Sequence, residues 1–321
     1  MKENINKIAV LIPCYNEEAT IEKVINDFKR ELPEATIYVY NNNSKDKSYE
    51  IAKNAGAVVR NEYRQGKGNV IRSMFEQVEA DIYLLVDADD TYPAESAKDL
   101  IKAVEDGADM AVGDRLSNGT YLKENKRKFH NLGNSLVKNT INFLFKVDLK
   151  DIMSGYRAYS KKFVKNFPIL TKEFEIETEM TLHALDKNYI IKEIPIDYRD
   201  RPKGSVSKLN TIPDGIKVVR TIGTMFKDYK PLKFFSILAI ILLILGLIIG
   251  VPVIIEFTKT HYITKVPSAI LATGLVMLAF IIEQCGIILH TTVKKNKELY
   301  ELNMLRYSQI EMLKNEINKR G

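Results

Sequence analysis

"IYLLVDADDTYP" (82–93) joins an apolar run to three carboxylates, Asp87, Asp89 and Asp90, within four positions. The apolar run, bounded by a polar turn, reads as a strand buried on both faces, the signature of a parallel sheet. Carboxylates so close repel one another, and the end of a buried strand has no structural need for three of them. A cation is expected there. The alternative, aspartates that cap a helix after Pro93, needs only one carboxylate.

The same pattern recurs along the first 113 residues. "KIAVLIP" (7–13), "TIYVY" (36–40), "AVVR" (57–60) and "DMAVG" (109–113) read as further strands. Between them lie amphipathic stretches. "EEATIEKVINDFKREL" (17–32) carries Ile21, Val24, Ile25 and Phe28 at helical spacing. "KDKSYEIAKNAG" (45–56) has Ser44 as N-cap and Gly56 as its stop. "GNVIRSMFEQVE" (68–79) and "AESAKDLIKAVEDG" (94–107) complete the alternation. Strand and helix in turn predict an α/β fold, a parallel sheet with helices on both faces. Ligands of such sheets bind beyond the carboxyl ends of the strands. "CYNEE" (14–18), "NNNSKDKS" (41–48), "NEYRQGKG" (61–68) and "DADD" (87–90) should therefore share one polar rim.

The rim matches no common phosphate-binding loop. "GKGN" has Ile71 where a dinucleotide fingerprint needs Gly or Ala, and no G-x-x-x-x-G-K-[ST] occurs. An acidic rim repels a diphosphate unless a divalent ion mediates. Mg2+ or Mn2+, which take carboxylate and phosphate oxygens together, are the expected cofactors, held by Asp87 and Asp89.

The chain has 321 residues, 45% hydrophobic and 27% charged, with a net charge of +6. Nucleic acid is not an expected partner. Two distant cysteines, Cys14 and Cys285, argue for a reducing compartment. The N-terminus passes into a strand and not a signal core. Past residue 230 the composition changes: "FFSILAIILLILGLIIGVPVII" (234–255) and "SAILATGLVMLAFIIEQCGIILH" (268–290) are each long enough to cross a bilayer. Lys227, Lys230 and Lys233 precede the first span and Lys294, Lys295 and Lys297 follow the second, whereas the short loop between holds Lys259 and Lys265. The positive-inside rule predicts a two-span cell-membrane protein with its catalytic domain and both termini in the cytoplasm. "TIPDGIKVVRTIGTMFKDYK" (211–230) places Ile212, Ile216, Val219, Ile222 and Phe226 on one face, as in an interfacial helix. "HNLGNSLVKNTINFLF" (130–145) suits an interfacial or a core helix equally. "GLIIG" (246–250) allows close helix contact, and Glu283 inside the second span needs a partner or an interface. The expected domains are a catalytic domain (1–208), an interfacial helix (209–232), a membrane hairpin (233–292) and a C-terminal helix (293–321). A homo-oligomer, dimer or tetramer, built through the membrane and C-terminal helices is a further expectation.

"IPCYNEE", "NNNSKDKS", "DADD", "SGYRAYS" (154–160) and "RPKGSVSKL" (201–209), in this order, resemble the motif series of family-2 glycosyltransferases with the GT-A fold. Within these the chain resembles the polyprenyl-phosphate glycosyltransferases, including dolichyl-phosphate mannose synthase and its bacterial glucosyl relatives. That resemblance covers about residues 7–232 and implies a mostly parallel, Rossmann-like sheet. It implies that Pro13, Tyr15 and Glu17 line the nucleoside pocket, and that Lys67, Gly68 and Ala88 lie beside the nucleotide. Asp87 and Asp89 would hold metal and diphosphate, and Thr91, where relatives often carry Gln, would join them at the metal through its hydroxyl or a water. Asn41 and Asn42 stand where relatives usually have two aspartates; an amide donates as well as accepts, so recognition there differs. Arg115 in "VGDR", Lys150, Ser154 and Arg157 are implied for the acceptor phosphate, Arg201 and Lys208 for a loop over the donor, and Glu179 for the sugar or for anchoring its helix.

The implied reaction is inverting transfer of one sugar from a nucleotide sugar, UDP-glucose or UDP-N-acetylglucosamine, to undecaprenyl or dolichyl phosphate. A phosphate monoester, with a second pKa of about 6, is mostly dianionic at neutral pH and attacks without a general base. His130 and His183, in helix-like stretches without metal spacing, are expected to pack and not to act as bases. Two rival readings stand beside this one. Elongation of a non-phosphate glycan would need a catalytic carboxylate, commonly in an "ED" pair, where this chain has "SGYRAYS". A catalytically silent nucleotide-sugar scaffold would have no use for an intact "DADD".

Overall fold

The structure, a computed structural model, describes residues 7–119, 128–169, 176–199 and 222–320, with the backbone alone at 128–134, 315 and 318–320. The chain divides into two compact units, residues 1–215 and 216–321.

Seven strands form the sheet of the first unit: β1 (Ile8–Cys14), β2 (Thr36–Asn41), β3 (Val58–Asn61), β4 (Ile82–Leu85), β5 (Met110–Asp114), β6 (Arg157–Ser160) and β7 (Ile191–Pro195), in the order β3-β2-β1-β4-β6-β5-β7. β1 pairs in parallel with β2 and β4, β2 with β3, and β5 with β7. β6 runs antiparallel to both neighbours, β4 and β5. The sheet is thus mostly parallel, as expected, with one reversed strand wedged into it. "SGYRAYS", read above only as a motif, supplies that strand.

Helices α1 (Ile21–Glu31), α2 (Ser48–Asn54), α3 (Lys67–Gln77) and α4 (Ala97–Glu105) link the early strands, α4 following a 3-10 turn at Ala94–Ser96. Ile21, Val24, Ile25 and Phe28 are the buried face of α1. They pack with Val10, Ile12, Val39, Leu84 and Leu100 in one core. Ser44 does not cap α2, which begins at Ser48 after Lys47; its hydroxyl instead accepts the Asn16 N–H at 3.0 Å and ties two rim loops together. Gly56, at φ +75°, does terminate the helix, in a conformation that L side chains rarely adopt. Helices α5 (Lys128–Phe145), α6 (Lys161–Asn166) and α7 (Ile176–Asp186) follow among the described residues of this unit. The open question over residues 130–145 resolves in part: Val137, Ile141 and Leu144 are buried on one side of α5 and Phe143 is exposed on the other.

In the second unit residues 222–229 are helical. They are followed by α8 (Pro231–Thr260) and α9 (Val266–Arg320), both long and apolar enough to cross a membrane. Their large apolar side chains, among them Ile240, Ile248 and Ile254 of α8 and Ile270, Phe280 and Ile288 of α9, are exposed. Water would penalise that surface and hydrocarbon would not. The two helices meet through small residues at seven-residue spacing. Ala239, Gly246 and Val253 of α8 are buried, and so are Ala272 and Ala279 of α9. A Cβ on Gly246 would lie 2.9 Å from Val276 Cγ2 and one on Gly286 2.8 Å from Phe235 Cβ, so close approach depends on glycine at both. Glu283 accepts the Ser236 hydroxyl hydrogen at 2.9 Å across the pair, so its partner lies within the hairpin. The expected boundary at 292/293 is not a break, because α9 continues unbroken to Arg320.

Candidate active site

The carboxyl ends of β1 to β4 bring the four polar loops to one rim, and hydrogen bonds stitch them together. After β1 the Glu17 N–H donates to Ser48 Oγ at 2.8 Å, and the Asn16 side chain accepts the Lys45 N–H at 2.7 Å. Pro13, Tyr15 and Glu17 are all partly exposed at this edge, where a nucleoside could reach them. Asn41, at the end of β2, donates to Asn61 Oδ1 at 2.9 Å and accepts the Ser44 N–H.

Asn42 is buried at 3% exposure and knots the next loop. Its amide donates to the Glu62 and Arg64 carbonyls at 2.8 and 2.9 Å. Its oxygen accepts the Gly66 N–H at 2.8 Å and the Gln65 amide at 3.2 Å. A carboxylate cannot donate to two carbonyls, which explains why asparagine stands here. Every hydrogen-bonding position of this amide is used inside the protein, so Asn42 shapes the loop. Glu62, on the same loop, accepts from Arg64 at 2.9 and 3.0 Å and from the Ser73 hydroxyl; these bonds, Arg64 first, pull its pKa to about 2.

The knotted loop ends at Gly66, φ +123°, and delivers Lys67 as the first residue of α3, with Gly68 buried behind it. The Lys67 ammonium lies 2.6 Å from Asp87 Oδ1 and 2.6 Å from Glu177 Oε1 on α7. Burial alone would lower its pKa, but the two carboxylates outweigh burial and hold it above the ordinary lysine value. A cation of the chain itself, the Lys67 ammonium, thus stands beside Asp87.

The three aspartates part company. Asp87, the most open of them at 27% side-chain exposure, faces Lys67. Its other oxygen sits against the Gly155 backbone, where a Cβ would lie only 2.5 Å from Oδ2. Asp89 is buried at 5% exposure and accepts the Thr91 hydroxyl hydrogen at 2.7 Å and the Thr91 N–H at 3.3 Å, so Thr91 orients it. Asp90, at φ +59°, turns to Lys23 at 2.6 Å. None caps the following 3-10 turn, whose N-cap Pro93 has no side-chain bond. The Ala88 carbonyl is held by the Thr20 hydroxyl at 2.7 Å.

On the other side, Arg115 grips Asp151 through Nε at 2.6 Å and Nη2 at 2.8 Å. Its Nη1 reaches the Tyr92 hydroxyl at 3.4 Å, which also accepts the Gly155 N–H at 3.0 Å. Burial raises and Arg115 lowers the Asp151 pKa, and the guanidinium prevails. This fork ties "VGDR" to "DIMSGYR" and, through Tyr92, to the strip of backbone under Asp87. Lys150 is exposed, with its ammonium 3.2 Å from Ser117 Oγ; Glu193 accepts its N–H and that of Asp151 at 2.8 Å. Arg157 corrects an expectation. It is fully buried and donates to Ser154 O at 2.8 Å, Thr181 Oγ1 at 2.9 Å and Ile152 O at 2.6 Å. With every nitrogen turned inward it braces the 152–154 loop and does not meet a lipid phosphate; Ser154, equally buried, does not either. Glu179 is half-buried on α7, and Glu177, two residues earlier, is the carboxylate that reaches Lys67. Arg201, Lys208 and residues 209–221 lie outside the described residues. His183 packs among Phe163, Phe167 and Tyr189, as expected, and burial, aided by Lys187, lowers its pKa to about 4.

Among the described residues no three His, Cys, Asp or Glu side chains form a metal cage. Two hard carboxylates, Asp87 and Asp89, remain as donors. That set fits an ion that completes its shell with water and substrate phosphates, as Mg2+ and Mn2+ do.

The place of Asp87 and Asp89 at the end of β4 was legible in the sequence; the contacts that Glu177, Gly155, Tyr92 and Asp151 make around them were not. Glu177 had one weak signal, a second acid in "EIETE".

Known proteins resemble this chain in sequence and in fold. The model of glycosyl transferase family 2 matches residues 9–167. Glycosyltransferase AglJ of Haloferax volcanii is 31% identical over 71% of this chain and 75% of its own. The dolichyl-phosphate hexose transferase of the same organism is 28% identical over 67% of this chain and 92% of its own. Glucosyl-3-phosphoglycerate synthase of Mycobacterium tuberculosis, solved in complex with UDP, has a TM-score of 0.56 at 18% identity and covers 69% of this chain and 79% of its own. That likeness is one of fold. With sheet order, acidic strand end and sequence likeness in agreement, the chain belongs to glycosyl transferase family 2.

Proposed function

We propose that the protein transfers one sugar, with inversion, from a nucleotide sugar to a polyprenyl phosphate. UDP-glucose or UDP-N-acetylglucosamine is the proposed donor, and undecaprenyl or dolichyl phosphate the acceptor. The product, a polyprenyl-phosphate sugar, would serve cell-envelope glycan modification or protein glycosylation. The observation that carries this reading is a rim with Asp87, Asp89 and Lys67 in a chain that also has two exposed apolar helices. A relative that is by name a dolichyl-phosphate hexose transferase supports the same acceptor class.

The lipid phosphate oxygen forms the new bond to the anomeric carbon on the face opposite the departing nucleoside diphosphate, whose bond to that carbon breaks. No proton need be removed, because the attacking phosphate, with a second pKa of about 6, is mostly dianionic. The protein's task is to bring two anions together and to stabilise the diphosphate that leaves. Asp87 and Asp89 would hold Mg2+ or Mn2+, which supplies charge neutralisation on the diphosphate. Lys67 adds a fixed positive charge at the same rim. Pro13, Tyr15, Glu17 and Asn41 contact the nucleoside. Arg115, fixed by Asp151, and Lys150 supply positive charge on the acceptor side, and Arg201 and Lys208 close over the donor. The two apolar helices span the cell membrane, with the catalytic unit and both termini in the cytoplasm.

Membranes carrying the protein, incubated with labelled UDP- or GDP-sugars, Mg2+ or Mn2+, and polyprenyl phosphate, test this directly. An organic-soluble, mild-acid-labile product is expected. Label found only in glycan would favour elongation of a non-phosphate acceptor, and no transfer at all would favour a silent scaffold.

A further inference from the structure

Lys67 occupies Asp87, the most open of the three aspartates at the end of β4. Its ammonium bonds Asp87 Oδ1 and Glu177 Oε1 at 2.6 Å each, and its side chain is only 10% exposed. We propose that Lys67 competes with the divalent ion for Asp87, so that metal binds well only together with the donor diphosphate, while Glu177 keeps Lys67 in the site when it leaves Asp87. This rests on the nucleotide-sugar reading above.

Three observations carry it. First, Asp87 cannot swing aside to serve both cations: Gly155 backs Oδ2 so closely that a Cβ would stand 2.5 Å away. Second, the loop that presents Lys67 is pinned by the four hydrogen bonds of Asn42 and so does not readily withdraw. Third, Glu177 comes from a different element, α7, and holds the ammonium independently of Asp87. A monovalent ammonium between two carboxylates is well compensated, and a divalent ion that approached Asp87 alone would meet its repulsion. An incoming diphosphate changes the balance. It brings negative charge for Lys67 to turn to and oxygens to complete the metal's shell. Metal and donor therefore enter as one unit. Glu177 acts as a positioning residue, which returns Lys67 to Asp87 when the diphosphate leaves.

Binding of Mn2+ to the purified full-length chain in detergent, read by electron paramagnetic resonance of the unbound ion, tests the competition without turnover. Wild type should bind Mn2+ alone at least about tenfold more weakly than Mn2+ in the presence of UDP or GDP, whichever it binds. The variant Lys67→Met/Glu177→Gln, which removes one charge of each sign, should bind Mn2+ alone about tenfold more tightly than wild type. Glu177→Gln by itself should leave Mn2+ binding alone weak and reduce nucleotide affinity in the presence of Mn2+. The proposal is overturned if wild type binds Mn2+ equally well with and without nucleotide, or if the double variant, folded by circular dichroism, binds it as wild type does. Should the double variant not fold, the wild-type pair of measurements decides. Failure of both UDP and GDP to bind under any metal condition would instead refute the sugar-transfer reading, and the Mn2+-only comparison of wild type and double variant would still decide on Lys67.

Discussion

Gly155→Ala isolates the seat of Asp87. The glycine has ordinary backbone angles, so alanine adds no backbone strain; the defect is one methyl group. That methyl would stand 2.5 Å from Asp87 Oδ2 and 3.1 Å from its Cγ. The carboxylate must retreat by about 1 Å to regain van der Waals contact. It has nowhere easy to go, because its other oxygen is bonded to Lys67 at 2.6 Å, and Lys67 is held in turn by Glu177. Overpacking of this kind costs about 1–3 kcal/mol of stability. A misplacement of about 1 Å in a catalytic constellation can lower turnover on the order of 100-fold. The assay is transfer of labelled sugar to polyprenyl phosphate alongside a thermal melt, with Gly274→Ala as control because a Cβ there meets nothing within 4 Å. Activity within threefold of wild type, in a protein that melts normally, would show that the position of the Asp87 carboxylate does not matter to catalysis.

Asp89→Asn should abolish turnover while the protein still folds and inserts, since the amide oxygen can still accept from Thr91; near-normal transfer would remove the metal assignment. Asn42→Asp replaces a double donor with a carboxylate facing the Glu62 and Arg64 carbonyls, and should destabilise the first unit by about 2–4 kcal/mol, read as a lowered melting temperature. His183 supplies a pH test. Its folded pKa, about 4, lies below the ordinary histidine value of 6.5, so the unfolded chain takes up the proton first and stability falls as pH drops through that window. His183→Phe should remove on the order of 2–3 kcal/mol of that acid-side loss, visible in melts compared at pH 7 and pH 4.5. Equal acid sensitivity in the two proteins would place the titration elsewhere.

The legible part of this protein was written in short-range periodicity. Alternating apolar runs and amphipathic stretches placed β1 to β5 and the helices between them, because each element buries its own face and shows that face in its spacing. The same reasoning set the rim, since parallel strands must all end on one edge, and put Asp87 and Asp89 there. Two uninterrupted apolar runs were enough for the hairpin. β6 and β7, at four and five residues, escaped although β3, β4 and β5 are equally short, because they lie past the regular alternation of strand and helix, and β6 enters the sheet reversed between β4 and β5. The place of such a strand is decided by which edges the rest of the chain leaves open.

Sequence alone thus determined the α/β alternation, the acidic strand end and the apolar pair of helices, all of them consequences of local chemistry. Tertiary structure decided the roles of individual charges. Lys67 meets a glutamate 110 positions away, Asp87 is fenced by Gly155, and Arg157 spends its guanidinium inside the core. The reason is physical: a charged side chain looks the same in sequence whether water, a ligand or another part of the chain will answer it, and only the closed fold determines which of these it meets.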